Sequence, residues 1–228
     1  MRCALKKFMI NIKKAISSKT SFIFDLDGTL FDSMGVWVKI DNDFLSRRGI
    51  AVPAFYGHEI SSKSASEGAL YTKELFGLPE STEEILKEWY EMSLKEYETR
   101  IKLKPFVYDY LLKIKNSGKK VAVATALSEN LYIPALKNNK IFHIFDALTS
   151  TDEVKRGKSF PDVYELAMRK IGATPNETVI FDDVLPAIKA SKQTGATVVG
   201  VYDSFSLSLK EEIKRTADFY IESFEELI

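Results

Sequence analysis

From Pro105 to its end the chain alternates short, almost unbroken apolar runs with stretches whose apolar residues recur every three or four positions. The runs KKVAVATA, TVIFDD, ATVVGVYD and DFYIES, with one more short strand near 145–150, are separated by helix-like segments near 106–117, 129–138, 161–171, up to Gly195, and 207–216. A strand that is apolar on both faces must be covered on both faces, and an intervening helix supplies the crossover that parallel pairing requires. The pattern predicts an α/β fold with a Rossmann-like parallel sheet core and helices on both faces. An earlier run, SFIFDLD, breaks off at Gly28 and predicts a central strand of the same sheet.

Residues 34–101 have a different character, with long helical periodicities and few strand-like runs. MGVWVKIDNDFLSRR leads to Gly49, and ASEGALYTKELF stops at Gly77 and Pro79. Ser81 with Glu84 makes a capping box ahead of Leu86, Tyr90, Leu94 and Tyr97, spaced by three and four. This segment predicts a helical cap domain, 34–101, inserted into a core domain made of 20–33 and 102–228. The crossings, Phe31 to Gly35 and Lys102 to Phe106, are expected to act as a hinge.

A length of 228 residues with 45% apolar residues suffices for such a core. Thirty-two Lys and Arg against thirty-two Asp and Glu leave no net field to draw nucleic acid. No stretch reaches the roughly 18 consecutive apolar residues of a membrane span. Residues 1–20 carry six Lys or Arg and no acid, and are expected to be a basic leader rather than a targeting signal. Cys3, the one cysteine, excludes an internal disulfide and any cysteine-rich zinc site and fits a reducing compartment, so a cytoplasmic protein is expected; a monomer without nucleic-acid or membrane partners is expected as well. His58 and His143 fall in no motif and are expected to be surface or packing residues.

In open parallel sheets ligands bind beyond the carboxyl ends of the strands. Here those ends are Asp25-Leu26-Asp27-Gly28-Thr29, Thr125, and Asp182-Asp183. Three or more carboxylates would converge there, at a cost that a cation relieves, and oxygen ligands without nearby His or Cys favour Mg²⁺ over Zn²⁺. Lys158, in the loop KRGKSFP, would face the same space, and an anionic phosphoryl group suits both charges. Asp25 would attack phosphorus while Asp27, two residues on, exchanges a proton with the leaving group and later with water. The Thr125 hydroxyl, the neighbouring amide of Ala126 and Lys158 would hold phosphoryl oxygens.

Taken in order, FDLDGTLFDS, the strand ending in Thr125, the loop GKSFPDVY and the strand end FDDVLPAIKASKQTG resemble the four motifs of the haloacid dehalogenase superfamily. The resemblance runs from residue 21 onward. It is closest to the branch with a helical cap after the first strand, which includes beta-phosphoglucomutases and phosphoglycolate-type phosphatases. It implies that Asp25 is the nucleophile and Asp27 the acid/base. It also implies that Asp25, the Asp27 carbonyl and Asp183 hold Mg²⁺, with Asp182 a ligand or one shell out, and that Thr125 and Lys158 bind the phosphoryl group. Two positions depart from the common pattern: Asp182 stands where many relatives have Glu, and Ala126 where Asn or Ser is frequent.

The resemblance implies a Mg²⁺-dependent phosphatase of a small phosphorylated metabolite. A phosphomutase is the first alternative, but Trp37 stands where beta-phosphoglucomutases carry a His. A dehalogenase would leave Asp27 and the Asp182-Asp183 pair unexplained, and a non-catalytic phosphate-binding protein would not need the full acidic set. Lys63, in the SSKSAS loop of the cap, is the candidate for contact with the leaving group.

Overall fold

The computed structural model describes residues 12–60 and 63–228. Cys3, most of the basic leader, Ser61 and Ser62 of the SSKSAS loop, and the side chain of His58 lie outside the described residues. Five parallel strands, β1 Ser21–Phe24, β2 Lys120–Val123, β3 Thr178–Asp182, β4 Thr197–Val201 and β5 Phe219–Ile221, form one sheet in the order β2-β1-β3-β4-β5. β1 is therefore paired on both sides, although β3 holds the middle of the sheet. The strand expected near 145–150 is instead a pair of isolated bridges, Ala122 with Ala147 and Thr125 with Ser150, along the outer edge of β2. There the Asp146 carboxylate accepts the Val121 N–H at 2.8 Å, so a side chain takes a place that a strand backbone would fill.

Side chains alternate across the strands, and both faces are covered. Phe22, Phe24, Val121, Val123 and Phe181 face one core, with Tyr110 and Leu111 of the helix Val107–Asn116 and Ala135 and Leu136 of the helix Glu129–Asn138. Phe24 and Phe181 stack with ring centroids 4.7 Å apart. Ile23, Ala122 and Ile180 face the other core, against the helices Asp162–Lys170 and Leu185–Gln193.

The inserted segment folds as α1 Met34–Ser46, α2 Tyr56–Ile60, α3 Ala65–Phe76 and α4 Thr82–Thr99 around its own cluster of Ile40, Phe44, Leu45, Tyr56, Ile85 and Trp89. Ser81 and Glu84 make the expected capping box, and Ser64 with Glu67 makes a second. The buried stripe of α4 runs Ile85, Trp89, Ser93, Glu96 and Tyr97, whereas Tyr90 is exposed and Leu86 and Leu94 are partly so. The helix is thus rotated from the face that its apolar spacing predicts, with Tyr97 common to both faces, because Ile85 and the larger Trp89 are buried in place of Leu86 and Tyr90. The two crossings pair with each other: Asp32 N–H donates to Lys102 O and Lys104 N–H to Leu30 O, both at 2.9 Å. They run side by side as the neck of the insertion, beside which α4 packs on the core helix Glu129–Asn138.

Candidate active site

The register brings the acids together. Phe24 lies level with Val123 of β2 and Phe181 of β3, so the next residues out, Asp25, Ala124 and Asp182, emerge at one height. Asp25 N–H still donates to Phe181 O at 3.0 Å, which fixes the point where the strand hands over to the loop. After it the chain turns at Gly28, whose φ of +77° favours glycine.

Lys158 Nζ stands 2.6 Å from Asp25 Oδ1 and 2.6 Å from Asp182 Oδ2, and only 3% of the residue is exposed. Asp182 Oδ2 also accepts the Tyr164 hydroxyl at 2.9 Å, while its Oδ1 accepts the Val184 N–H at 3.1 Å. Asp182 is thereby occupied as the counter-ion of Lys158. Asp183 is different: its Oδ1 accepts the Thr29 hydroxyl at 2.9 Å, but its buried Oδ2 has no hydrogen-bond partner among the described residues.

Asp25, Asp182 and Asp183 each present a carboxylate oxygen within 4.8 Å of the others. Burial pushes the Asp183 carboxyl well above the usual carboxylate range, and the neighbouring Asp182 and Asp25 push it further. Burial also raises Asp25, against the opposing charge of Lys158. Three buried acids with one orphaned oxygen and no His or Cys among them make a donor set that fits a hard cation.

Asp27 is bonded differently from its neighbours. Its Oδ1 accepts the Ser33 hydroxyl at 2.6 Å, and its Oδ2 accepts the Tyr97 hydroxyl at 2.5 Å and the Trp37 indole N–H at 3.0 Å. Burial raises its carboxyl, and these three donors oppose the rise.

A cavity of about 210 Å³ opens over these groups. Asp25, Asp27, Thr125, Ala126, Lys158 and Asp183 line its floor, and Trp37, Asp41, Ile60, Lys63 and Trp89 of the inserted segment line its roof with Phe205. Lys63 thus reaches the rim, where its Nζ also lies 5.0 Å from the centroid of the Tyr71 ring. Thr125 is buried and accepts the Leu127 N–H at 3.2 Å on its hydroxyl. His143 is exposed and away from the site.

The structure therefore gathers the expected residues at one cavity, with Asp182 behind Lys158, and adds Ser33, Tyr97 and Tyr164, which sequence reasoning missed, and the indole of Trp37, which it weighed only as the replacement of a His. Ser33 lies within the first motif and was open to notice. The hydroxyls of Tyr97 and Tyr164 carry no sequence signal, because a buried tyrosine reads as core until its hydrogen-bond partner is known.

The model of the family described as haloacid dehalogenase-like hydrolase matches residues 22–201. Among curated relatives, the phosphorylated carbohydrates phosphatase of Thermotoga maritima is 25% identical over 185 residues, covering 81% of this chain and 86% of that protein. The crystal structure of CbbY from Rhodobacter sphaeroides in complex with phosphate superposes with a TM-score of 0.79 at 23% identity, covering 92% of this chain and 96% of that one. Beta-phosphoglucomutase from Clostridium difficile gives a TM-score of 0.80 at 19% identity, with 92% and 93% covered. Both structures share the fold.

Proposed function

The chain belongs to the haloacid dehalogenase-like hydrolases, and from that premise we propose that it is a phosphatase hydrolysing a small phosphomonoester through an aspartyl-phosphate on Asp25. The observation that carries the reading is the Asp25–Lys158 pair on the cavity floor. Lys158 holds Asp25 Oδ1, opposing the rise that burial imposes on the carboxyl, and leaves Oδ2 to attack phosphorus. The bond from phosphorus to the leaving oxygen breaks as the new one forms, and Asp27 gives that oxygen its proton. Asp27, now ionised, takes a proton from water as the water attacks the aspartyl-phosphate, releasing phosphate and restoring Asp25. The Thr125 hydroxyl, the Ala126 amide and Lys158 bind the remaining phosphoryl oxygens.

Mg²⁺ is the cation we assign to the acidic set, held by Asp25, Asp183 and the Asp27 carbonyl, with Asp182 one shell out. When bound, it supplies the positive charge that lets a carboxylate approach an anionic phosphate. We take 20–33 with 102–228 as the core domain and 34–101 as the cap, whose neck and roof exclude water from the acyl-phosphate. Lys63 at the rim is the candidate contact for an anionic leaving group. Among the described residues no helix is long and apolar enough to cross a membrane. Trp37, which has no basic nitrogen, supports hydrolysis over a mutase.

The test is phosphate release from a panel of phosphorylated metabolites by the protein and its Asp25→Asn variant, with Mg²⁺ and with chelator. Turnover lost on Asp25→Asn and, reversibly, on chelation supports the reading. Undiminished release by the variant rejects it.

A further inference from the structure

The inserted segment grips one atom of the core from both its ends. Trp37 lies in the first turn of α1, Tyr97 in the last turn of α4, and both donate to Asp27 Oδ2, at 3.0 Å and 2.5 Å. The two also bond each other: the indole N–H lies 2.7 Å from the Tyr97 hydroxyl oxygen, and the ring centroids are 6.0 Å apart. The single indole hydrogen is shared between the carboxylate and the hydroxyl, which in turn passes its own hydrogen to the carboxylate. Tyr97 is fully buried, so no water competes for that bond.

The two oxygens of Asp27 are therefore unlike. The indole N–H can only donate, so the pair of groups on Oδ2 holds that oxygen as an acceptor. The Ser33 hydroxyl on Oδ1 can donate or accept, so a proton on Oδ1 keeps the bond with its direction reversed. A carboxyl side chain with two rotatable bonds is also pinned by contacts on both oxygens, which fixes its orientation.

We propose that Trp37 and Tyr97 are positioning residues that lock Asp27 through Oδ2, so that Oδ1 carries the exchangeable proton to the leaving oxygen. Because both donors belong to the inserted helices, proton delivery is coupled to the seating of the cap. The inference rests on the assignment of Asp27 as acid/base, and neither residue touches the reacting atoms.

The experiment compares phosphoryl transfer in single-turnover mixing for an alkyl phosphate, whose leaving group needs a proton, and p-nitrophenyl phosphate, whose leaving group needs little. Tyr97→Phe, Trp37→Phe and Asp27→Asn are measured in parallel with the parent. Tyr97→Phe is expected to lose about tenfold or more in rate on the alkyl ester relative to the aryl ester, with KM for the alkyl ester held. Trp37→Phe is expected to show the same preference more weakly, and it carries the test if Tyr97→Phe does not fold. Equal losses on both esters would assign the pair a structural role and overturn the proposal. If Asp27→Asn discriminates between the esters and neither aromatic variant does, the proposal fails while the acid/base assignment stands. If Asp27→Asn does not discriminate, both fall.

Discussion

Gly28 and Asp183 are packed so closely that a Cβ on Gly28 would stand 2.3 Å from Asp183 Oδ2, the buried oxygen without a partner. The turn after β1 and the acid after β3 thus share one small space, and glycine is required there for room as well as for φ. Gly28→Ala is expected to destabilise the protein by about 2 kcal/mol or more and to abolish any rise in melting temperature on adding Mg²⁺. Gly49→Ala is the control, since Gly49 has φ +71° with nothing within 4 Å of a Cβ and pays for strain alone. Equal losses in the two variants, by thermal unfolding with and without Mg²⁺, would refute the crowding argument.

Lys158 is the charge that makes the acidic floor tolerable. Replacing it by Met keeps the length of the stem and removes the ammonium, leaving Asp25 and Asp182 buried without their partner. Loss of one member of a buried ionic set costs roughly 3–5 kcal/mol, so Lys158→Met is expected to be strongly destabilised in chelator and inactive. Part of the stability should return on adding Mg²⁺, because a cation substitutes for the lost charge on the floor though not on the substrate. A variant as stable as the parent in chelator would contradict this account.

The two acids at the end of β3 are expected to differ. Both Asp182 oxygens already accept hydrogen bonds, from Lys158 and Tyr164 and from the Val184 N–H, whereas Asp183 keeps one buried oxygen unmatched. Asp183→Asn should therefore remove most of the Mg²⁺ affinity read by calorimetric titration, and Asp182→Asn should weaken it less. The opposite ranking would make Asp182 a direct ligand and the orphaned oxygen incidental.

Much of this site was legible because its residues end strands. An apolar run that breaks into acids must place them at the carboxyl edge of a parallel sheet, so Asp25, Asp182 and Asp183 were bound to meet once β1 and β3 paired. What could not be read was contact between distant side chains. Periodicity counts Tyr97 as core, which it is, but its hydroxyl finds Asp27 across 70 positions of sequence. The stripe of α4 differs for a related reason: Leu86, Tyr90 and Leu94 repeat as regularly as Ile85, Trp89 and Ser93, and only packing against α1, α3 and the core helix Glu129–Asn138 selects between them. The edge segment at 145–150 has strand composition and does bond to the β2 backbone, yet Asp146 spends its carboxylate on the Val121 N–H and the pairing is reduced to two isolated bridges.

Asp41 gives a last test, of the cavity roof. It sits one helical turn beyond Trp37 on α1, is 8% exposed, and among the described residues forms no ion pair. Burial pushes its carboxyl from 3.8 up to about 7. A group whose folded pKa is raised stabilises the protein fully below the unfolded pKa, and that contribution is lost as pH rises through the folded value. Stability is therefore expected to fall between pH 4 and 7 through this residue alone and to level off above it. In Asp41→Asn the proton is no longer there to lose, so the variant should gain on the parent between pH 4 and pH 8 by an amount on the order of a few kcal/mol. Comparing the two pH values cancels whatever the amide itself does to packing. Stabilities of parent and variant from urea unfolding that run parallel across that range would show that burial does not raise the Asp41 carboxyl in the folded protein.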